Sequence, residues 1–329
     1  MKRTLPNLLG WGCFTLSMAI IAGRVTDVQA QSYPTRPVTI IVPVTAGSAQ
    51  DFIARLFAPM LTQRLGQAFI VDNRVGASGT IGAEALAKAA PDGHTLMLGA
   101  IAFAMAPALR KSLPYDPLVD VAPVSPVGKA PMGLVVNATV PANSLAEFVA
   151  LAKSKPGRLN YGSPGNGTPH HLFMELLKQR TGINIVHVPY KQLGGMVNDV
   201  IGATLDGAFM TVFTIVPQVK AGKFKFLGVV GSQRASAAPD TPTLREAGVD
   251  GLETESWLGI LAPGKTSPEL IRRLNGEFNR LVDLPEVREA YAKLGIESLG
   301  GTPADLAALI KKDLELWPLV VERGGIKAD

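Results

Sequence analysis

The sequence predicts an α/β fold built mainly on parallel sheets. Short apolar, β-branched runs recur along the chain, and stretches of helical period lie between most of them. After about residue 266 the pattern turns continuously helical, which predicts a helical pack closing one side.

The strand candidates, in order, are Val38–Val42, Phe69–Val71, Thr95–Leu98, Leu134–Val136, Ile185–Val188 and Phe226–Val230. Between the first two, Phe52, Ile53, Leu56, Phe57, Met60, Leu61 and Leu65 share one helical face, and Pro59 is expected to kink that helix. Ser144 with Glu147 forms a capping box opening a helix that carries Leu145, Phe148, Val149 and Ala152. The tail gives three more helices, Pro268–Asp283, Glu286–Leu294 and Pro303–Arg323. The 329 residues suffice for two domains of about 150 residues each. No repeat, low-complexity tract or long linker parts them, so short strands must cross the boundary.

Residues 1–30 read as an export signal. Lys2 and Arg3 form the charged start, Leu8–Ala22 the apolar stretch and Val28-Gln29-Ala30 the small-x-small cleavage site. The stretch is too short, and too broken by Gly10 and Gly12, for a span of about 20 residues; an uncleaved anchor is the alternative. The single cysteine, Cys13, lies inside it without the context of a lipidation site, so the mature chain has no disulfide or thiol chemistry. The formal charge of +5 falls to +3 once Lys2, Arg3, Arg24 and Asp27 are removed, and no basic run occurs. This gives no case for a nucleic-acid partner and suits an anionic ligand.

Two glycine-bearing loops each lead from a strand into a helix. In the first, Val38–Val42 runs into Pro43-Val44-Thr45-Ala46-Gly47-Ser48-Ala49-Gln50-Asp51, where Ser48 and Asp51 fit a capping box. The second is Asn160-Tyr161-Gly162-Ser163-Pro164-Gly165-Asn166-Gly167-Thr168-Pro169-His170-His171, with Thr168 as N-cap and Pro169 as the first helical residue. A helix that starts at the carboxyl end of a strand presents open amides and its positive dipole end, the place where open α/β sheets bind anions. Two such loops facing each other would clamp a carboxylate; well-capped tight turns are the plainer alternative.

Other chemistry finds no constellation. The Gly162, Gly165 and Gly167 spacing is not a dinucleotide fingerprint, and neither a phosphate-binding P-loop nor a G-x-S-x-G elbow occurs. Among His94, His170, His171 and His187 only His171 finds a carboxylate at i,i+4, Glu175, which does not make a metal site. No catalytic residue, metal or cofactor is expected.

At these loops the sequence resembles the tripartite tricarboxylate transporter substrate-binding family, the Bug receptors. Tyr33-Pro34-x-Arg36-Pro37 and Val42–Asp51 resemble the family's start and first ligand loop. Asn73-Arg74-x-Gly76-Ala77-x-Gly79-x-Ile81-Gly82-Ala83, Ala90–Leu96 and Leu113-Pro114-Tyr115-Asp116-Pro117 follow in family order. So do Asn160–Leu172, Val188-Pro189-Tyr190-Lys191, Ala221-Gly222-Lys223 and Pro242-Thr243-Leu244-x-Glu246-Ala247-Gly248.

The resemblance implies a two-lobed periplasmic binding protein of the type II, Venus-flytrap kind, with short crossing strands as hinge. Lobe 1 would comprise residues 31–132 plus 252–329, and lobe 2 residues 133–251. It implies a monomer that captures a small organic carboxylate without catalysis, for the membrane components of a tripartite transporter or for a sensor protein. Carried over, the ligand surroundings are Val44, Thr45, Ala46, Ser48, Ala49 and Asp51, Ala102 and Phe103, Ser163, Asn166, Thr168 and His171, with Asp199 and Met210. Of four departures from the family pattern, at Val44 with Ser48, Ala102-Phe103, Gln192-Leu193 and Met210, several remove polar groups and add apolar surface. If they line the pocket, the ligand is a carboxylate with an aromatic or aliphatic body; the alternative is that Phe103 and Met210 are core. An enzyme using the same cleft would show turnover without added cofactor, and a secreted adhesive protein an exposed apolar patch with no small ligand.

Overall fold

The computed structural model describes Met1 and residues 33–326, which form two mixed sheets flanked by helices. Apart from Met1, the export signal expected at residues 1–30 lies outside the described residues. The first sheet contains β1 (Val38–Val42), β2 (Phe69–Asn73), β3 (Thr95–Ala100), β4 (Val121–Lys129), β10 (Trp257–Pro263) and β11 (Glu297–Ser298), in the order β11-β4-β10-β3-β1-β2. The second contains β5 (Met132–Asn137), β6 (Asn160–Ser163), β7 (Val186–Pro189), β8 (Gly207–Thr211) and β9 (Phe224–Val229), in the order β7-β6-β8-β5-β9.

Strand–helix alternation is present, but the expectation of mainly parallel sheets needs correction. Among the named strands, parallel pairing is confined to β1 with β2 and β3, and to β6 with β7 and β8. The pairs of β10 with β3 and β4, of β11 with β4, and of β5 with β8 and β9 are antiparallel. Each of these antiparallel pairs includes a strand that flanks a passage between the sheets, β4, β5, β9 or β10, whereas the parallel pairs are joined by helical crossovers. β4 escaped the sequence reading because Pro123 and Pro126 interrupt its apolar run. Its register with β10 shifts beside the pairs Gly259↔Pro126 and Leu261↔Pro123, so bulges fall where a ladder donor is missing.

Helices follow the sequence pattern closely. α1 (Ala49–Leu65) runs through Pro59 as one element. Pro59 lies on its exposed face, where water can serve the carbonyl released at Arg55. The tail forms α8 (Pro268–Asp283), α9 (Pro285–Lys293) and α10 (Pro303–Gly324), within a residue or so of expectation. None of the described helices is long and apolar enough to cross a membrane.

The chain passes between the sheets twice, from β4 through Ala130-Pro131 into β5, and from β9 through residues 230–256 into β10. The two passages are bonded to each other: Ala130 N–H donates to Ser256 O (2.9 Å) and Val230 N–H to Met132 O (2.8 Å). α10 packs over both halves. Its Leu306, Ile310 and Trp317 share one core with Met97 and Ile101 from the first half and Leu134, Phe173 and Phe209 from the second. Trp317 meets Phe173 edge-on, with ring centroids 5.4 Å apart.

A buried carboxylate ties this helix to the second passage. Asp313 on α10, 2% exposed, accepts from Thr254 Oγ1 (2.8 Å), Trp257 Nε1 (2.8 Å) and Trp317 Nε1 (3.2 Å). Burial raises its pKa, and the three donors and Lys312 pull the other way without reversing the shift. Asp313→Ala leaves three buried donors unpaired and should cost about 2–4 kcal/mol, read as a lower midpoint in urea. A change under about 0.5 kcal/mol would mean that the fastening does not contribute.

Candidate functional site

The first loop is organised by the residues that also start α1. Asp51 N–H donates to Ser48 Oγ (3.2 Å), the first half of the expected capping box. The second half differs, because the Asp51 carboxylate takes Gly47 N–H (2.9 Å) instead of the N-cap amide. It also receives Arg55 Nε (3.0 Å) and Asn73 Nδ2 (2.9 Å), and Asn73 Nδ2 also donates to Val44 O (3.1 Å). Asp51 is thus 4% exposed and committed within the loop, and these bonds hold its pKa down at about 2, Arg55 contributing most. Among the described residues the amides of Ala49 and Gln50 have no protein acceptor, so they are the helix's open donors. Thr45, Ala46 and Ala49 are exposed around them.

A turn that the sequence offered only as part of a family motif completes this rim. Ala77 and Ser78 hold positive φ (50° and 55°), and Gly79 caps α2 (Thr80–Ala87). Non-glycine residues in that region carry strain, which here brings a further helix start beside the first loop. Arg110 braces the turn by donating to Ala77 O (3.0 Å), and a Cβ on Gly82 would sit 2.9 Å from Pro43 Cβ, so α2 packs directly on the loop. Val44, Ala102 and the largely buried Phe103 meet here, lining a narrow recess of about 30 Å³. Phe103 lies in the middle of α3 (Ile101–Met105), a short helix the sequence pattern did not indicate.

The second loop starts α5 (Pro169–Thr181) with Thr168 as N-cap and Pro169 first, as expected. The Thr168 hydroxyl, however, donates to Gly165 O (2.8 Å) and caps no helix amide. The cap-like bond comes from His171, whose Nδ1 accepts Gly167 N–H (3.0 Å), so its ring turns inward. It stacks on His187 (3.9 Å between centroids, 9°), and His187 Nε2 shares a hydrogen bond with the fully buried Ser163 Oγ (2.7 Å). Burial lowers the pKa of both rings, that of His187 to about 4, with His171 adding to the fall. Gly167 lies against Leu109 of the first half, where a Cβ would come within 2.5 Å of that side chain. Asn166, partly buried, lies on the same loop.

The remaining expected residues sit elsewhere. Met210 has none of its surface exposed and packs with Val135, Met196, Val200 and Phe224, because alternation along β8 turns Ala208 and Met210 toward α6 (Leu193–Ile201). It is core in this structure, as the alternative reading had it, and it supplies no argument about a ligand. The Asp199 carboxylate accepts the Tyr190 hydroxyl, joining α6 to the Pro-Tyr-Lys segment. Among the described residues no three or more His, Cys, Asp or Glu gather as a metal site.

Because the folded Asp51 carboxyl titrates near 2 against an ordinary 3.8, the loop's acid stabilisation is complete above about pH 4 and is lost as pH falls through 2. Asp51→Asn should remove that acid dependence and cost about 1–2 kcal/mol at neutral pH, as measured by denaturation across pH 2–7. An unaltered profile would place the loop's acid sensitivity elsewhere.

The family model described as the tripartite tricarboxylate transporter family receptor matches residues 53–326. Protein BugT of Bordetella pertussis is 34% identical over 93% of this chain and 94% of its own. Among solved structures, the Rpa4515 protein of R. palustris with adipate superposes with a TM-score of 0.77 at 33% identity, over 90% of this chain and all of its own. MatC of Rhodopseudomonas palustris with bound malate gives 0.74 at 31%, over 88% and 100%. With both its sheets and nearly its whole described length matched, the chain belongs to the tripartite tricarboxylate transporter receptor family, whose fold is that of two-lobed solute-binding proteins.

Proposed function

We propose that the chain is an exported periplasmic receptor that captures a small organic carboxylate between its lobes and delivers it to the membrane components of a tripartite tricarboxylate-type transporter. The observation that carries the reading is the open amides of Ala49 and Gln50 at the start of a 17-residue helix, in a loop that Asp51 fixes without placing its own charge outward. An anion is favoured there by the dipole and the unpaired donors together. The solved relatives holding adipate and malate support a carboxylate as that anion.

On this reading residues 31–132 with 252–329 form one lobe and 133–251 the other. Closure about the paired passages brings Ser163, Asn166 and Thr168 toward Thr45, Ala46 and Ser48, and ligand binding favours the closed state. Val44 and Ala102, half-buried beside the first loop, offer apolar surface and no charge and so favour a ligand with an apolar body, while Phe103, 7% exposed, packs mainly in the core behind them. We read the protein as a monomeric receptor without catalysis. The Ser163 hydroxyl is buried against His187 and Gly165 O, which suits a structural bond better than an exposed nucleophile.

Thermal unfolding of residues 31–329 against mono-, di- and tricarboxylates tests the reading. A ligand at about 100 times its Kd should add about 2.7 kcal/mol, a shift of several degrees confined to a few members. No shift with any carboxylate, on protein freed of ligand beforehand, would overturn the assignment. Ala46→Trp, at an exposed loop position with no capping bond, should abolish the shift and leave the unliganded midpoint within about 2 °C.

A further inference from the structure

The second loop is shaped by a ring that must be uncharged to hold it. Gly167 N–H is buried, and its acceptor is His171 Nδ1 at 3.0 Å, so that nitrogen carries no hydrogen and Nε2 does. Around Gly165 the loop closes on itself: the Ser163 hydroxyl donates to Gly165 O (2.9 Å), Gly165 N–H to Ser163 Oγ (3.2 Å) and the Thr168 hydroxyl to Gly165 O (2.8 Å). The His171 bond ties Gly167 to α5, and Gly167 is the residue that packs on Leu109 of the first half. One imidazole nitrogen thus holds a contact between the halves.

A proton on His171 reverses that contact. Nδ1 becomes a donor facing a donor, and the Gly167 amide loses its acceptor. The neighbours of the ring set how readily this happens. Glu175 Oε1 on α5 lies 3.8 Å from Nε2 and favours the charge, but it also accepts the Tyr161 hydroxyl of β6 (2.6 Å) and Lys178 Nζ of α5 (2.6 Å). Burial, with Lys178 adding to it, outweighs Glu175 and holds the ring below its ordinary 6.5. His187 of β7, stacked 3.9 Å away, and His170, the preceding residue of α5, are both held by burial at about 4. The loop as built excludes a proton that a freed His171 would take up, so its hold weakens as pH falls below about 6.5. That window lies well above the fall of Asp51 near 2.

We propose that His171 is the positioning residue of the second loop, holding Gly167 against the first half while neutral and releasing it when protonated, so that mild acid opens the receptor and loosens its grip on the ligand. The effect on capture rests on the two-lobed carboxylate reading above. His171 acts through Gly167 and not by touching the ligand.

The test compares the unaltered receptor, His171→Asn and Lys178→Gln from about pH 5 to about pH 7.5. Hydrogen exchange of the peptide covering residues 163–168, corrected for intrinsic rates, reads the loop, and calorimetric titration with adipate, malate and benzoate reads capture. Loop protection in the unaltered receptor should fall about fivefold toward the acid end. His171→Asn offers Oδ1 as an acceptor that does not titrate, and its protection should be level with pH. Lys178→Gln, at a part-exposed position, removes a cation that resists protonation, so the loss should begin about half a pH unit higher. Affinity for an acid that binds should fall about threefold to tenfold further in the unaltered receptor than in His171→Asn, a comparison that cancels the acid's own ionisation. Protection that ignores pH, or changes alike in all three proteins, overturns the role of His171. So does the lack of an upward shift in Lys178→Gln, which decides alone should His171→Asn fail to fold. A loop that loosens while affinity holds overturns the effect on capture. Failure of all three acids to bind counts against the carboxylate reading, and the exchange profile still decides the role of His171.

Discussion

The pairing of the two passages between the sheets is the constraint on which the rest of the structure depends. Each passage alone would be a flexible tether, but Ala130 with Ser256, and Val230 with Met132, make them a short ladder. Such a ladder can bend while keeping the two halves in register. Asp313 then fixes α10 to the second passage through Thr254 and Trp257. The loops that start α1 and α5 belong to different sheets, so their relative position is inherited from this seam and from the packing of Gly167 on Leu109.

Much of the fold was legible because its signals are local. Val38–Val42 shows as a continuous apolar run, which suits a strand with neighbours on both sides, and Ser267, Thr302 and the prolines after them mark where the tail helices begin. What was not legible depends on partners distant in sequence. β4 reads as a proline-broken loop until β10 supplies bulges opposite Pro123 and Pro126. β6 and β8, four and five residues long and containing glycine, are strands because β5 and β7 flank them. Pairing direction is likewise set by where a passage enters a sheet.

At the site, the sequence marked Ser48, Asp51, Thr168 and Pro169 correctly as the residues that start helices, since caps obey short-range rules. The Ser48 side chain caps as expected, whereas the Thr168 hydroxyl turns to Gly165 O. Asp51 and His171 carry polar groups that look available in a sequence, yet both turn inward and hold glycine amides. Met210 is settled by the alternation of β8, whose phase was invisible without the strand. Tyr115 was noticed only as part of a motif, because its nearness to Phe103 depends on the chain returning from residue 103 to 115 around the Ala106–Leu109 turn.

α10 has a consequence for how the molecule is made. It is the last described element, and it completes a hydrophobic core that draws on both halves. Neither half can seal its own apolar surface beforehand, so a nascent chain that has not reached residue 324 exposes the faces meant for Leu306, Ile310 and Trp317. The core that the two halves share is therefore completed only once α10 has been made.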